Sequence, residues 1–277
     1  MVFQFAFSSD LLFTRRILSA DVPYGTSALL FCLNFAAMNA YSNQAPKSSS
    51  PQIPNRFAIL VAGGSGTRMA ADRPKQFLLL RHEPVLLHTL RRFAEPALGV
   101  TAIVVVLPAE QLETWRALCV EHNVGIPHRL VVGGATRWAS VKAGLAALAG
   151  YEAGLVAVHD GVRPLVPRLV VERTYVAAAT HAAAAAAVMP KDSVRLVSQH
   201  GSAAQNRNRL RLMQTPQTFE IDLLRRAYAM PELTTFTDDA TVVDDLCRVQ
   251  LVDGDYRNLK ITTPEDLVVA EALLAAG

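Results

Sequence analysis

The sequence predicts an α/β fold: a Rossmann-like, mostly parallel sheet flanked by helices, with a projecting β-arm. Three observations predict it. Short apolar runs bounded by glycine or proline alternate with segments of helical spacing. A glycine-rich turn follows the first of these runs. Of 277 residues, 51% are hydrophobic and 18% charged, which supplies a sizeable core and excludes a disordered or collagen-like chain. At roughly 150 residues per domain the length allows one large domain or two small ones.

Phe57 to Ala62 is a short apolar run bounded by glycines, hence a buried strand. Glu83-Pro84 opens a helix carrying Val85, Leu86, Leu90 and Phe93, with proline in its first turn. Thr101 to Leu107 is β-branched and apolar, and Pro108 stops it. Ala109 to His122 has helical spacing through Leu112, Trp115 and Leu118. His128 to Val132 reads as a strand and Thr136 to Leu148 as a helix. Leu155 to His159 is a strand running into Asp160, and Val166 to about His181 a helix. Ala182 to Ala187 has the best helix propensity available, yet Val188, Met189 and Pro190 follow and the alternation calls for a strand. The expectation is a buried strand of small side chains. Lys191 to Asn208 is polar without helical spacing, which predicts a hairpin or arm over about 190–213, with a plain surface loop as the alternative. Thr263-Pro-Glu-Asp266 opens a last helix, with Thr263 as its cap.

Residues 1–54 stand apart. Ser42 to Pro54 reads as a linker, and the apolar run Ala28 to Ala37 is too short to span a bilayer. Arg15 and Arg16 upstream resemble a signal peptide, but Asp10 and Asp21 argue against it. A disordered extension or a start assigned too early, with Met38 as an internal candidate, is preferred to a targeting segment. Residues 55–277 are then one domain.

Lys plus Arg number 27 and Asp plus Glu 24, a net charge of +3. No concentrated basic face points to a nucleic-acid partner, and no apolar run points to a membrane. Cys32, Cys119 and Cys247 are odd in number and far apart, which suits neither a disulfide framework nor zinc, and points to reduced thiols in the cytoplasm.

The chemistry concentrates in Leu60-Val-Ala-Gly-Gly-Ser-Gly-Thr-Arg-Met69. Gly63, Gly64 and Gly66 after a strand let backbone amides approach an anion. Ligands of open α/β sheets bind beyond the strand carboxyl ends. The P-loop pattern is absent, and Met69 stands where the dinucleotide fingerprint wants a third glycine or alanine, which disfavours an NAD-dependent dehydrogenase. Instead Arg68 and Lys75 follow, two cations suited to neutralise a polyphosphate as charge moves onto a leaving group. Elsewhere the bland readings prevail. His82, His88, His122, His128, His181 and His200 lack metal spacing, His159 orients a loop, Trp115 and Trp138 pack, and Asp244-Asp245 is solvated.

These residues resemble the signature of the sugar-phosphate nucleotidylyltransferases. Gly133-Gly134-Ala-Thr-Arg137 with Ser140, His159-Asp160-Gly-Val-Arg163-Pro164, Gln214-Thr215-Pro216-Gln217, Thr237-Asp238-Asp239-Ala240 and Asn258-Leu-Lys260 extend the likeness. Six blocks in order, from about Phe57 to the end, resemble the 2-C-methyl-D-erythritol 4-phosphate cytidylyltransferase family. The resemblance implies transfer of CMP from CTP to methylerythritol phosphate with release of pyrophosphate, in non-mevalonate isoprenoid precursor synthesis. It implies that Arg68, Lys75 and Lys260, the last on a strand before the final helix, act on the phosphates, and that Ala62, Gly63, Gly64 and Gly66 give backbone contacts to the nucleotide. Gly133, Gly134, Arg137 and Ser140 would line the cytosine and ribose. Asp160 and Arg163 would face ribose and second substrate, which Thr215, Thr237 and Asp238 would hold. Arg207 would reach the site of a partner subunit from the arm, implying a homodimer with arm exchange. Mg²⁺ is expected, bound mainly through the CTP phosphates, with no residue assigned as its ligand. Pentitol-phosphate cytidylyltransferases share several blocks and are the nearest alternative, followed by a relative that binds nucleotide without turnover. Gly134-Ala-Thr-Arg137, Leu107-Pro108 and Thr237-Asp238-Asp239-Ala240 favour methylerythritol phosphate.

Overall fold

The computed structural model describes residues 54–64 and 73–276. The expectations for residues 1–53, Gly66 and Arg68 lie outside the described residues.

Strand β1 (Arg56–Val61) sends Phe57, Ile59 and Val61 to one face of the sheet and Ala58 and Leu60 to the other. Burial on both faces explains why it reads as an unbroken apolar run. β2 (Leu79–Leu80) and β3 (Glu83–Pro84) form a small antiparallel ladder that leads into α1 (Val85–Phe93). Pro84, expected in the first turn of that helix, instead precedes it at φ −54°, ψ 137°, because its pairing with Leu79 keeps it extended. β4 (Val100–Leu107) ends at Pro108, and a 3-10 turn, Ala109–Gln111, precedes α2 (Leu112–Glu121). There follow β5 (Arg129–Val132), α3 (Arg137–Ala146), β6 (Leu155–Asp160), α4 (Arg168–His181) and β7 (Ala183–Val188). The alanine run is thus the expected strand. Ala182, at φ 64°, ends α4, and the five alanines after it are buried. Sheet pairing on both sides of this strand overrides the helix propensity of its residues.

β8 (Val194–Ser198) and β9 (Gly201–Gln205) pair only with each other, and their side chains are largely exposed. This hairpin is the expected arm. β10 (Leu212–Glu220), α5 (Ile221–Ala229), α6 (Asp239–Val243), β11 (Gln250–Asp253) and α7 (Pro264–Ala275) complete the described chain. The main sheet has the order β11-β7-β10-β6-β1-β4-β5. All its pairings are parallel except those of β10, which runs antiparallel to β6 and β7. One apolar core lies on each face.

This order positions the site. The chain moves from β1 outward to β4 and β5, then returns to the other side of β1 as β6. Such a reversal opens a crevice at the carboxyl ends of the two central strands. Lys260, expected on a strand, lies in an irregular stretch after β11. Its neighbour Ile261 donates one backbone hydrogen bond to Val162 (2.9 Å), which anchors the segment beside the crevice without forming a ladder. Among the described residues, no helix is long and apolar enough to cross a membrane.

Candidate active site

The crevice holds a cleft of about 380 Å³ at the ends of β1 and β6. Its floor is the turn after β1. Ala62 is tied back to the sheet by its N–H to the Val106 carbonyl (3.0 Å). At Gly64 a Cβ would meet Lys75 Cε at 3.2 Å and Nζ at 3.4 Å, so a bare backbone here lets the lysine lie across the turn. Lys75 itself begins a 3-10 turn whose other two residues, Gln76 and Phe77, are buried. Gln76 donates to Gln111 from the turn after β4, so Lys75 stands on a buried anchor.

The opposite wall starts at β5. Gly133 continues the sheet by donating to the Leu107 carbonyl (2.8 Å). Thr136 caps α3 by accepting from Ala139 N–H (3.0 Å), which aims the helix start into the cleft. Ser140 donates to the Thr136 carbonyl (2.9 Å). A Cβ on Gly133 would sit 2.8 Å from Ser140 Oγ, so only glycine fits behind that hydroxyl.

Asp160 ends β6 at the centre. Lys260 Nζ lies 3.0 Å and Arg163 Nε 3.3 Å from its Oδ2, and Arg137 Nε 3.5 Å from its Oδ1. Burial alone would raise the Asp160 carboxyl; Arg137, Lys260 and Arg163 outweigh it and hold the group well below the usual carboxylate range. Arg137 is further held by Asp239 in a bidentate pair (2.9 and 2.6 Å). Burial works against its charge, but Asp239 and Asp160 more than restore it, so Arg137 stays a cation. Burial pulls Arg163 below its ordinary value, partly offset by Asp160. His159 is fully buried beside this cluster, with Nε2 3.2 Å from the Arg163 carbonyl. Desolvation lowers it to about 3, so it is neutral and positions the Arg163 loop, as expected of it.

A second hollow of about 260 Å³ adjoins the first and shares Arg137, Asp160 and Lys260 with it. Arg163, Thr215, Thr237 and Asp238 line it as well.

The fold therefore brings Ala62, Gly63, Gly64, Lys75, Gly134, Arg137, Ser140, Asp160 and Lys260 to one cleft. Gly133 lines neither hollow and acts from behind Ser140. Thr215 Oγ1 accepts from the Asp160 N–H (3.1 Å). Both Asp238 carboxylate oxygens are engaged inside the fold, one by Thr241 N–H (3.0 Å) and one by Gln217 (2.7 Å). Arg207 stands apart: it is exposed at the foot of the arm and donates to the Lys191 carbonyl (2.7 Å). Trp138 stacks on Tyr228 at 5.6 Å and Trp115 is buried, so both pack, as expected.

Sequence reasoning did not assign Asp239, Gln217 or Asn258. Asp239 is fully buried under Arg137; Gln217 holds Asp238 and the Ala240 N–H; Asn258 donates to the Thr215 carbonyl (2.7 Å) and presents its own carbonyl to Arg163 (2.8 Å). Their one sequence signal was membership of the polar blocks at 214–217, 237–240 and 258–260.

Residues 57–276 match the model of the family IspD, 2-C-methyl-D-erythritol 4-phosphate cytidylyltransferase. The chain belongs to this family. It is 46% identical over 223 residues to the 2-C-methyl-D-erythritol 4-phosphate cytidylyltransferase of Bacteroides fragilis, a span of 79% of this chain and 99% of that one. The protein of the same name from Geobacter metallireducens is 42% identical over 225 residues, 79% and 97% of the two chains. Among solved structures, the 2-C-methyl-D-erythritol 4-phosphate cytidylyltransferase of Thermus thermophilus superposes with a TM-score of 0.62 at 33% identity, over 79% of this chain and 98% of that one. The 4-diphosphocytidyl-2C-methyl-D-erythritol synthase of Anaerococcus prevotii gives 0.70 at 28% identity, over 80% and 97%. Membership in the IspD family agrees with the mostly parallel sheet flanked by helices.

Proposed function

We propose that the chain transfers CMP from CTP to 2-C-methyl-D-erythritol 4-phosphate, with release of pyrophosphate, in non-mevalonate isoprenoid precursor synthesis. The observation that carries this reading is the cleft where Lys75, Arg137 and Lys260 face the open glycine turn after β1. Three cations around a phosphate-sized turn suit a reaction between two anions. An oxygen of the methylerythritol phosphate attacks the α-phosphorus of CTP and forms a new P–O bond. The bond from that phosphorus to the bridging oxygen breaks, and its electron pair leaves with pyrophosphate. The attacking phosphate is already anionic near neutral pH, so the task is positioning and charge neutralisation rather than proton abstraction. Lys75, together with Arg68, takes up charge on the phosphates, and Lys260 does so from the opposite wall. Ala62, Gly63 and Gly64, together with Gly66, present backbone to the nucleotide. Gly134, Arg137 and Ser140, backed by Gly133, hold base and ribose. Asp160 and Arg163 separate the two substrates, and Thr215, Thr237 and the backbone around Asp238 hold the second.

Mg²⁺ fits as a companion of the CTP phosphates, where it would neutralise charge. Among the described residues no group of three His, Cys, Asp or Glu side chains could hold a metal, and Asp160, the one carboxylate lining the first hollow, already faces three cations. We further infer a homodimer with arm exchange, in which Arg207 completes the partner's second hollow. Its support is that Arg207 lines neither hollow of its own chain. The domain is residues 55–277 with the arm at 190–213, residues 1–54 are either an extension without a part in catalysis or the product of a start assigned too early, and the protein works in the cytoplasm.

The test is pyrophosphate release from CTP with methylerythritol phosphate or ribitol 5-phosphate. Turnover with the former at least tenfold faster is expected. The reverse order would make the second substrate a pentitol phosphate, and no turnover of either would make the chain a binding relative.

A further inference from the structure

Arg137 lines both hollows, so what fixes its guanidinium bears on both. Asp160 approaches it only to 3.5 Å, whereas Asp239 grips it with two parallel hydrogen bonds of 2.9 and 2.6 Å. Planar bidentate pairing of this kind fixes direction as well as charge. Asp239 has no solvent exposure, and its Oδ1 also accepts from the Tyr228 hydroxyl at 2.6 Å. Burial, and then Asp239 itself, push the Tyr228 phenol above its ordinary value, so that hydroxyl remains a donor. The segment carrying Asp239 is pinned in turn. Gln217 donates to Asp238 (2.7 Å) and accepts from the Ala240 N–H (2.9 Å), and both Gln217 and Asp238 line the second hollow. A buried carboxylate is costly, and packing alone would be served better by an apolar residue. Its presence calls for a role in directing the arginine.

We propose that Asp239 is a positioning residue: it aims Arg137 into the nucleotide hollow and ties that aim to the loop lining the second hollow. The proposal rests on the reading of the first hollow as the CTP site. Asp239→Asn keeps the shape of the side chain but cannot accept two bonds from Arg137 and one from Tyr228. Its Kd for CTP, by calorimetry, is expected to rise at least tenfold, while kcat at saturating CTP stays within threefold. Arg137→Lys should weaken CTP binding similarly. The double variant should be no more than twofold weaker than Arg137→Lys alone, because the two side chains act as one unit. A purely structural role would lower the melting temperature without moving Kd. Tyr175→Phe, which removes a buried hydroxyl bonded to the Phe57 carbonyl far from the cleft, is the control for that outcome.

A wild-type chain that fails to bind CTP would overturn the reading of the hollow itself. A wild-type chain that binds CTP, with Asp239→Asn within twofold of it or with effects that multiply in the double variant, would overturn the positioning role alone. If Asp239→Asn does not fold, NMR of the wild-type guanidinium decides. Distinct, slowly exchanging Arg137 Nη–H signals, assigned by their loss in Arg137→Lys, are expected, and one averaged signal would contradict the proposal.

Discussion

Arg137 lies in one of the polar blocks of this sequence and Arg207 in the arm, and the fold treats the two arginines in opposite ways. Arg137 is held by two carboxylates, one of them fully buried. Arg207 is exposed, and among the described residues its side chain meets one backbone carbonyl of the arm. The same division runs through the regions around them. The cleft proposed for the nucleotide is built on the ends of β1, β5 and β6, packed between two cores. The arm is a two-stranded ribbon with little buried surface. A strand end packed in a core can hold a charge within tenths of an ångström, whereas an exposed hairpin cannot. The cleft is therefore organised by packed strands of this chain, a support that the arm lacks.

The sharpest way to break this comparison is at Lys75. Lys75→Ala is expected to lower kcat about a hundredfold or more, the usual cost of losing one donor to developing charge, with the melting temperature nearly unchanged. A variant near wild-type rate in steady-state assays would remove Lys75 from the organised side.

Asp160 comes next, as the hub of the cations. Asp160→Asn leaves Arg163 and Lys260 facing one another without a counter-charge. The expected loss is about 3–5 kcal/mol, the range for breaking a buried pair from one side. Denaturant melts would measure it, and a loss under about 1 kcal/mol would mean that solvent screens the cluster.

How much of this could be read from the chain depends on the range of each interaction. The strand–helix alternation is local and was legible, as was the alanine strand, because the elements around it left no other place. The gathering of Ala62, Gly63, Gly64 and Lys75 at the cleft was legible too, because they stand close in sequence. Asp239 was not, since its partner lies 102 residues away and its burial arises only when α5 and α6 close over α3. Lys260 was expected on a strand from the family likeness, whereas β11 ends at Asp253 and one hydrogen bond to Val162 carries the segment instead.

A smaller effect concerns pH. His159 titrates at about 3 when folded and near its ordinary value of about 6.5 when unfolded. Below pH 6.5 the unfolded chain binds a proton that the folded chain refuses, so stability falls as the pH drops from 6.5 towards 3. At pH 5 the loss from this residue is about 2 kcal/mol. Asp160 adds a loss of the same sign at lower pH, as its depressed carboxyl gives the unfolded chain the greater proton affinity. Melts of the wild type and His159→Asn at pH 7.5 and pH 5 would measure the difference. An equal pH dependence in both would assign the acid sensitivity elsewhere.

The most direct test of the division between the two regions is to measure one variant, Arg207→Ala, in two ways. CTP affinity by calorimetry should match the wild type within about twofold, since no arm residue lines the first hollow, while turnover with methylerythritol phosphate should fall at least tenfold. A parallel loss of CTP affinity, or full turnover without Arg207, would contradict it.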